Sequence, residues 1–297
     1  MGSALSNRWR EARGNVNGNC RNVGFVHAAG DTAGGERMVE HLYQSGPLLI
    51  CLLGSFRLLR GDQPLESLVV GKTAVLLSSL ALHRERGMPR DALLELLWPD
   101  QQSSQSAVSL RSLVYSLHRR LQLAPDDGPA VVYANGAYVL NSAAGVSTDV
   151  ARFDDLVAAG NGFVAAGQDA RAAACFEQAL LLYRGDLVAD ADVFAVIERE
   201  RLRVSYLTIL AWLASWAFRD GRYDVSLEHA LRLLAFDPCR EDAHRMVMRA
   251  HLRRGERAQA LRQYRLCVKV LEAEFDIAPE PETTSLFDRV RLDPDSV

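Results

Sequence analysis

Between Ser103 and Leu123 every charged side chain is basic: Arg111, Arg119 and Arg120 stand there with His118 beside them and no acid. At helical spacing Arg111, Tyr115 and His118 fall on one side, at i, i+4 and i+7, with Ser112, Ser116 and Arg119 close by. Val108, Leu110, Leu113, Val114, Leu117 and Leu121 make a separate apolar stripe. Guanidinium groups and short hydroxyls opposite a buried face can hydrogen-bond both phosphates and base edges in a duplex groove. The same pattern also fits the solvated face of an ordinary amphipathic helix, so the surroundings must decide.

Three neighbouring elements favour the first reading. Leu48 to Leu53, then Phe56 to Arg60, read as two short strands joined by Gly54-Ser55. From Lys72 apolar residues recur at helical spacing until Gly87 stops them; a second helix of two to three turns runs from Asp91 to Trp98, between Pro89 and Pro99. The basic helix, near Ser104 to Leu121, comes next and ends before Pro125. Val131 to Leu140 then places Asn135-Gly136 between two β-rich arms, a hairpin signal because both turn residues need positive φ. Helix, helix, helix, hairpin is the order of a winged helix.

The remainder reads differently. With 297 residues, 48% of them hydrophobic and 24% charged, the chain is expected to form two globular domains, each burying its own core. Residues 1–46 are rich in glycine and asparagine without apolar periodicity and are expected to be a flexible extension. From Thr148 onward the pattern is helical, and Asp220-Gly221-Arg222-Tyr223 recurs as Arg254-Gly255-Glu256-Arg257 at a spacing of 34 residues, with Ala230 and Tyr264 in register. That spacing, with small residues where helices cross, is tetratricopeptide-like; Gly167 to Leu182 reads as a degenerate relative.

Net charge is −3, so any nucleic-acid signal must be local. The five cysteines stand singly and odd in number, which points to the cytoplasm; no apolar run is long enough for a membrane span and no secretory signal is visible, so no membrane partner is expected. Gly71-Lys72-Thr73 resembles the end of a phosphate-binding loop, but the glycine needed five positions earlier is Glu66. Lys72 is better read as starting the first helix, within reach of DNA backbone. His244 and His251 are seven apart with no third ligand in view, and Trp212 and Trp216 suit core packing. No metal, cofactor or catalytic constellation is expected.

At this point the chain resembles a known family. Residues 48–141 look like an OmpR-type winged helix, and with the helical remainder the chain is similar to bacterial regulators of the antibiotic regulatory protein (SARP) family, whose second half is the bacterial transcriptional activator domain. The resemblance rests on Lys72 to Leu77, Leu93 to Pro99, Leu110 to Arg120 and Leu181 to Leu187, then on Glu198 to Leu202, Asp237 to His244 and Ala260 to Tyr264. It implies a mixed α/β N-terminal winged helix at 47–142, followed by an all-α, tetratricopeptide-like domain at 148–292.

It further implies that Arg111, Ser112, Tyr115, Ser116, His118 and Arg119 sit on the recognition helix and that the wing tip, Asn135-Gly136, approaches a neighbouring minor groove. The family often has Asn where this chain has Ser109, and Arg where it has His118. Ser109 can still donate to a phosphate, whereas His118 lacks arginine's two-pronged contact with a base. No receiver-like domain with a phosphoacceptor Asp is read ahead of the winged helix, so phosphorylation input is not expected.

The expected function is therefore sequence-specific transcription activation, with double-stranded promoter DNA, RNA polymerase, a second copy of the chain and a small-molecule or nucleotide effector as partners. Arg201, Arg222 and Arg253 are the arginines expected to hold such an effector on the concave side of the helical half. The competing expectation is a tetratricopeptide scaffold whose winged helix binds protein, since residues 46–141 carry nine basic and eight acidic side chains.

Overall fold

The computed structural model describes residues 48–297 except 62, 67–69, 101–102, 122–127, 189–192 and 295–296; the expected N-terminal extension lies outside the described residues. Strands β1 (Leu48–Cys51), β2 (Arg57–Arg60) and β3 (Gln63–Pro64) form an antiparallel meander in which Ile50 faces Leu58. A fourth strand, β7 (Val146–Thr148), runs parallel to β1 and pairs Leu48 with Val146, giving the order β3-β2-β1-β7. A parallel neighbour requires a long crossover, and here the crossover carries three helices and a hairpin. The completing strand thus lies past residue 142, in the connection between the two expected domains.

Within the crossover lie α1 (Gly71–Leu82), α2 (Arg90–Leu97) and α3 (Ser103–Leu121). Pro89, with φ −55°, leads into α2, and Trp98 caps it just before Pro99. Strands β5 (Val131–Ala134) and β6 (Ala137–Leu140) form the hairpin, with φ of 53° at Asn135 and 83° at Gly136. Both values are those the turn was expected to need. A two-residue strand, β4 (Met88–Pro89), joins β6 on its other side and makes the sheet three-stranded. Gly87 permits this: at φ +68° a Cβ would lie 2.4 Å from Val139 Cγ1 and 2.6 Å from the Tyr138 carbonyl oxygen.

The helical half contains α4 (Asp149–Ala165), α5 (Asp169–Leu182), α6 (Val193–Arg219), α7 (Tyr223–Phe236), α8 (Glu241–Arg253), α9 (Arg257–Phe275) and α10 (Pro281–Leu292). The pairs α4/α5, α6/α7 and α8/α9 turn at Gly167, Gly221 and Gly255, with φ of 69°, 75° and 77°. Ala214, Ala230 and Ala250 are buried where the hairpins pack, which explains the small residues in the repeat. The first repeat loses its spacing because the chain after α5 detours to the N-terminal sheet. There Leu187 bridges Leu53, the Val188 amide donates to the Leu52 carbonyl at 2.8 Å, and the Gly54 amide donates to the Asp186 carbonyl at 3.0 Å.

That detour corrects the expectation of two separate cores. One continuous apolar cluster runs from Leu48, Ile50 and Leu58 through Leu76, Leu110 and Leu117 to Phe153, Phe176, Tyr206 and Leu233. Winged helix and helical half share their interior.

Candidate nucleic-acid interface

Helix α3 is held by Ala107, Leu110, Leu117 and Leu121, all buried in the shared core, with Leu113 and Val114 packed against it. The side turned away carries Val108, Arg111, Ser112, Tyr115, Ser116 and Arg119, recurring at i, i+3, i+4, i+7, i+8 and i+11. Val108 and Tyr115 are 63% and 65% exposed, so two large apolar groups stand among arginines and hydroxyls. Val108 was expected in the buried stripe; it sits instead on the outward face, a turn before Arg111. Ser116 Oγ donates back to the Leu113 carbonyl at 2.9 Å, and Arg120 is exposed next to Arg119.

Two expected contact residues fall elsewhere. His118 is half-buried and turned toward the wing, its Nε2 accepting the Val131 amide at 3.2 Å. Burial lowers its pKa from the usual histidine value. A neutral ring tying α3 to β5 fits this geometry better than a reader of bases, and the departure from the family's arginine at this position is structural. Ser109 is half-buried and already engaged, off the outward face.

The remaining expected residues surround α3. Lys72 is exposed near the start of α1, its Nζ 4.3 Å from the centre of the Trp98 ring. That places a cation beside the end of α2, where the chain turns into α3. Asn135 and Gly136 are exposed at the hairpin tip, and the Gly136 carbonyl accepts the Arg90 amide at 3.3 Å. The tip is therefore fixed to the start of α2. Tyr133 is exposed on β5, 4.8 Å from the Tyr138 ring, and was not singled out in the sequence; strand periodicity puts it on the same face as buried Val131, so alternation gave no sign of its exposure.

The winged-helix half is anchored to the helical half by two polar clusters. Asp149, the first residue of α4, is buried and accepts the Leu52 amide at 2.8 and 2.9 Å and the Leu53 amide at 2.9 Å. Burial raises its pKa; the backbone amides and Arg57 pull it back. Just past α1, Arg84 reaches Asp154 of α4 at 2.6 Å and Glu198 of α6 at 3.6 Å. Arg201 closes the ring, 2.9 Å from Asp154 and 2.7 Å from Glu198. Its guanidinium holds the Glu198 carboxyl below its usual pKa.

Arg201 is thus committed to structure. Arg222 is also occupied, 2.8 Å from Asp220 and stacked over Trp216. Arg253 is exposed at the end of α8. The eighteen residue steps along α6 from Arg201 to Arg219 alone span about 27 Å. The three arginines therefore do not make the single effector site expected of them. His244 and His251 are likewise separate: His244 bonds the Pro238 carbonyl at 2.8 Å and Gln263 at 2.7 Å, and His251 bonds Glu256 at 2.7 Å. Among the described residues no group of three His, Cys, Asp or Glu side chains is placed to hold a metal, and no helix is long and apolar enough to cross a membrane. Burial pushes the Cys51 thiol up to about 11 and Cys267 to about 12, so neither supplies a thiolate at neutral pH.

Residues 148–291 match the model of the bacterial transcriptional activator domain. With it come similar regulators: the chain is 29% identical over 235 residues to the regulatory protein DnrI of Streptomyces peucetius, covering 76% of this chain and 86% of that protein. It is 28% identical over 250 residues to the regulatory protein AfsR of Streptomyces coelicolor, covering 83% of this chain but only 24% of AfsR. The solved structure of Mycobacterium tuberculosis EmbR, in complex with a low affinity phosphopeptide, superposes with a TM-score of 0.65 at 24% identity, over 84% of this chain and 67% of that one. The resemblance to the antibiotic regulatory protein family holds, and the winged-helix-plus-helical arrangement is shared with EmbR.

Proposed function

We propose that this chain is a sequence-specific DNA-binding transcription activator that works in the cytoplasm, laying α3 in a major groove. The observation that carries the reading is the outward face of α3: Arg111, Ser112, Tyr115, Ser116 and Arg119 exposed together, with no acid on the helix, over a firmly buried opposite side. Arg111 and Arg119 are assigned to guanine edges or phosphates, and Ser112, Ser116 and Tyr115 to backbone and shorter contacts. Val108 offers apolar surface to a thymine methyl. Lys72 is assigned to a phosphate beside the α2–α3 turn, and Asn135-Gly136 to the neighbouring minor groove. His118 and Ser109 are left out of the reading set.

The helical half is proposed to hold RNA polymerase, a second copy of the chain, or an effector. The shared core supports a functional consequence: whatever binds the helical half acts on an α3 whose orientation is already set by Asp149 and Arg84. Footprinting across the genome with the full chain tests the reading. A set of protected sites sharing one sequence, lost on Arg111→Ala, is the expected result; protein partners recovered without any protected DNA would sink it.

A further inference from the structure

The wing sheet has the order β4-β6-β5, so β5 lies at its edge. Counted back from the two-residue turn, Ala134 pairs with Ala137 and Val132 with Val139, and these are the positions that exchange hydrogen bonds across the hairpin. Val131, at the base of β5, is one step out of phase with them. Its N–H therefore points away from β6, and among the described residues no strand lies beyond that edge to take it. His118 takes it instead, with Nε2 3.2 Å from the Val131 nitrogen. That bond spans thirteen positions of sequence and joins the last turns of α3 to the base of the wing.

On α3 His118 stands one turn past Tyr115 and beside Arg119, so it borders the outward face while its ring is spent on the wing. The task needs an acceptor. A neutral imidazole keeps a lone pair on one ring nitrogen, whereas a guanidinium offers donors alone and an apolar side chain offers neither. The far end of the wing is braced separately, since the Gly136 carbonyl accepts the Arg90 amide at 3.3 Å and fixes the tip to α2. Without His118 the hairpin keeps that tie to α2 and loses this one to α3. Two elements that must meet one duplex together have to be held within about 0.5 Å of the productive geometry, and supporting hydrogen bonds of this kind do the holding.

We infer that His118 is a positioning residue for DNA recognition: by accepting the Val131 amide it sets the wing against α3, so that Arg111 and Arg119 and the tip at Asn135-Gly136 engage one duplex at once. It acts through the wing and touches no base itself. The inference rests on the assignment of α3 and the wing to DNA made above.

The test is a double-mutant cycle on the full chain, titrated at one salt concentration with a duplex carrying the footprinted site and with an unrelated duplex, at a temperature where circular dichroism shows every variant folded. His118→Phe keeps a ring without an acceptor, and His118→Gln puts an amide oxygen near the place of Nε2. Asn135→Gly removes the tip side chain and tolerates the φ of 53° there. His118→Phe is expected to bind the site about fivefold more weakly, the worth of one hydrogen bond, and His118→Gln to stay within about twofold of wild type. Asn135→Gly should also weaken binding, and on that background His118→Phe should cost less than about twofold, because the contact it misplaces is already gone. Equal costs on both backgrounds would make His118 a direct contact or a general stabiliser and overturn the proposal. So would Gln behaving like Phe, Phe behaving like wild type, or Asn135→Gly binding as wild type does. A wild type without preference for the footprinted duplex would instead sink the assignment of α3, and this inference with it.

Discussion

Replacing Asp149 by alanine should destabilise the whole fold, because one carboxylate satisfies the amides of two residues at the end of β1. Leu52 and Leu53 are both fully buried, and their N–H groups have Asp149 oxygens at 2.8 to 2.9 Å. In Asp149→Ala neither amide keeps that acceptor, and each orphaned buried donor costs about 1–3 kcal/mol, or about 4 kcal/mol for the pair. Relief from burying the carboxylate, the same burial that raises its pKa, offsets part of this and leaves about 3 kcal/mol. For a unit of this size that corresponds to a fall in Tm of roughly 6–12 °C. The assay is urea and thermal unfolding followed by circular dichroism and by tryptophan fluorescence. Since the core is continuous from Leu48 to Leu233, both signals should move together in one transition. Asp149→Asn, which keeps one oxygen acceptor, should fall between. A variant within about 0.5 kcal/mol of wild type, or one in which only one signal moves, would refute the reasoning.

Gly87→Ala should cost about 2 kcal/mol or more, since the new methyl would meet Val139 and the Tyr138 carbonyl at a positive φ; unfolding and DNA affinity measured together should both fall. Arg84→Ala removes the link from α1 to α4 and α6 but leaves Arg201 facing Asp154 and Glu198, so a loss of about 1–2 kcal/mol is expected in urea unfolding, and unchanged stability would show the link to be idle. His118 and His244 both have pKa values lowered by burial, so the unfolded chain takes up their protons first. Their contribution is intact above the ordinary histidine value of 6.5 and is lost as pH falls below it toward the folded values. The urea midpoint should accordingly drop from pH 7.5 to pH 5.5, and His244→Gln should flatten that drop.

The order of helices and the hairpin were legible because each is set by local chemistry. Pro89 and Pro99 bracket α2, and Asn135-Gly136 has few alternatives to a tight turn. The outward face of α3 was legible for the same reason, through its spacing. The sheet that joins the halves was not. Strand β7 is three residues long and pairs with β1 across the whole recognition unit, and Leu187 reaches Leu53 from another distant segment. Such pairings leave no periodic trace. Asp149 followed the pattern of an ordinary acidic first turn, and nothing local announced that its carboxylate is buried against β1. His118 looked like a contact because helical spacing alone does not say which side the hairpin covers; the Val131 amide decides it. The effector arginines failed for a related reason. Charge is visible in sequence, but the acids that neutralise Arg201 and Arg222 are brought by the fold.

The central claim concerns the outward face of α3, and a salt titration of DNA binding measures it most directly. On a duplex carrying the footprinted site, affinity of wild type should fall with rising salt, and Arg111→Ala combined with Arg119→Ala should bind more weakly. The slope of log affinity against log salt should shrink by about 0.9 for each of the two arginines that contacts a phosphate, and selectivity over unrelated duplex should fall where one reads a base. Wild type and double variant with the same affinity, slope and selectivity would contradict the assignment of α3 to DNA.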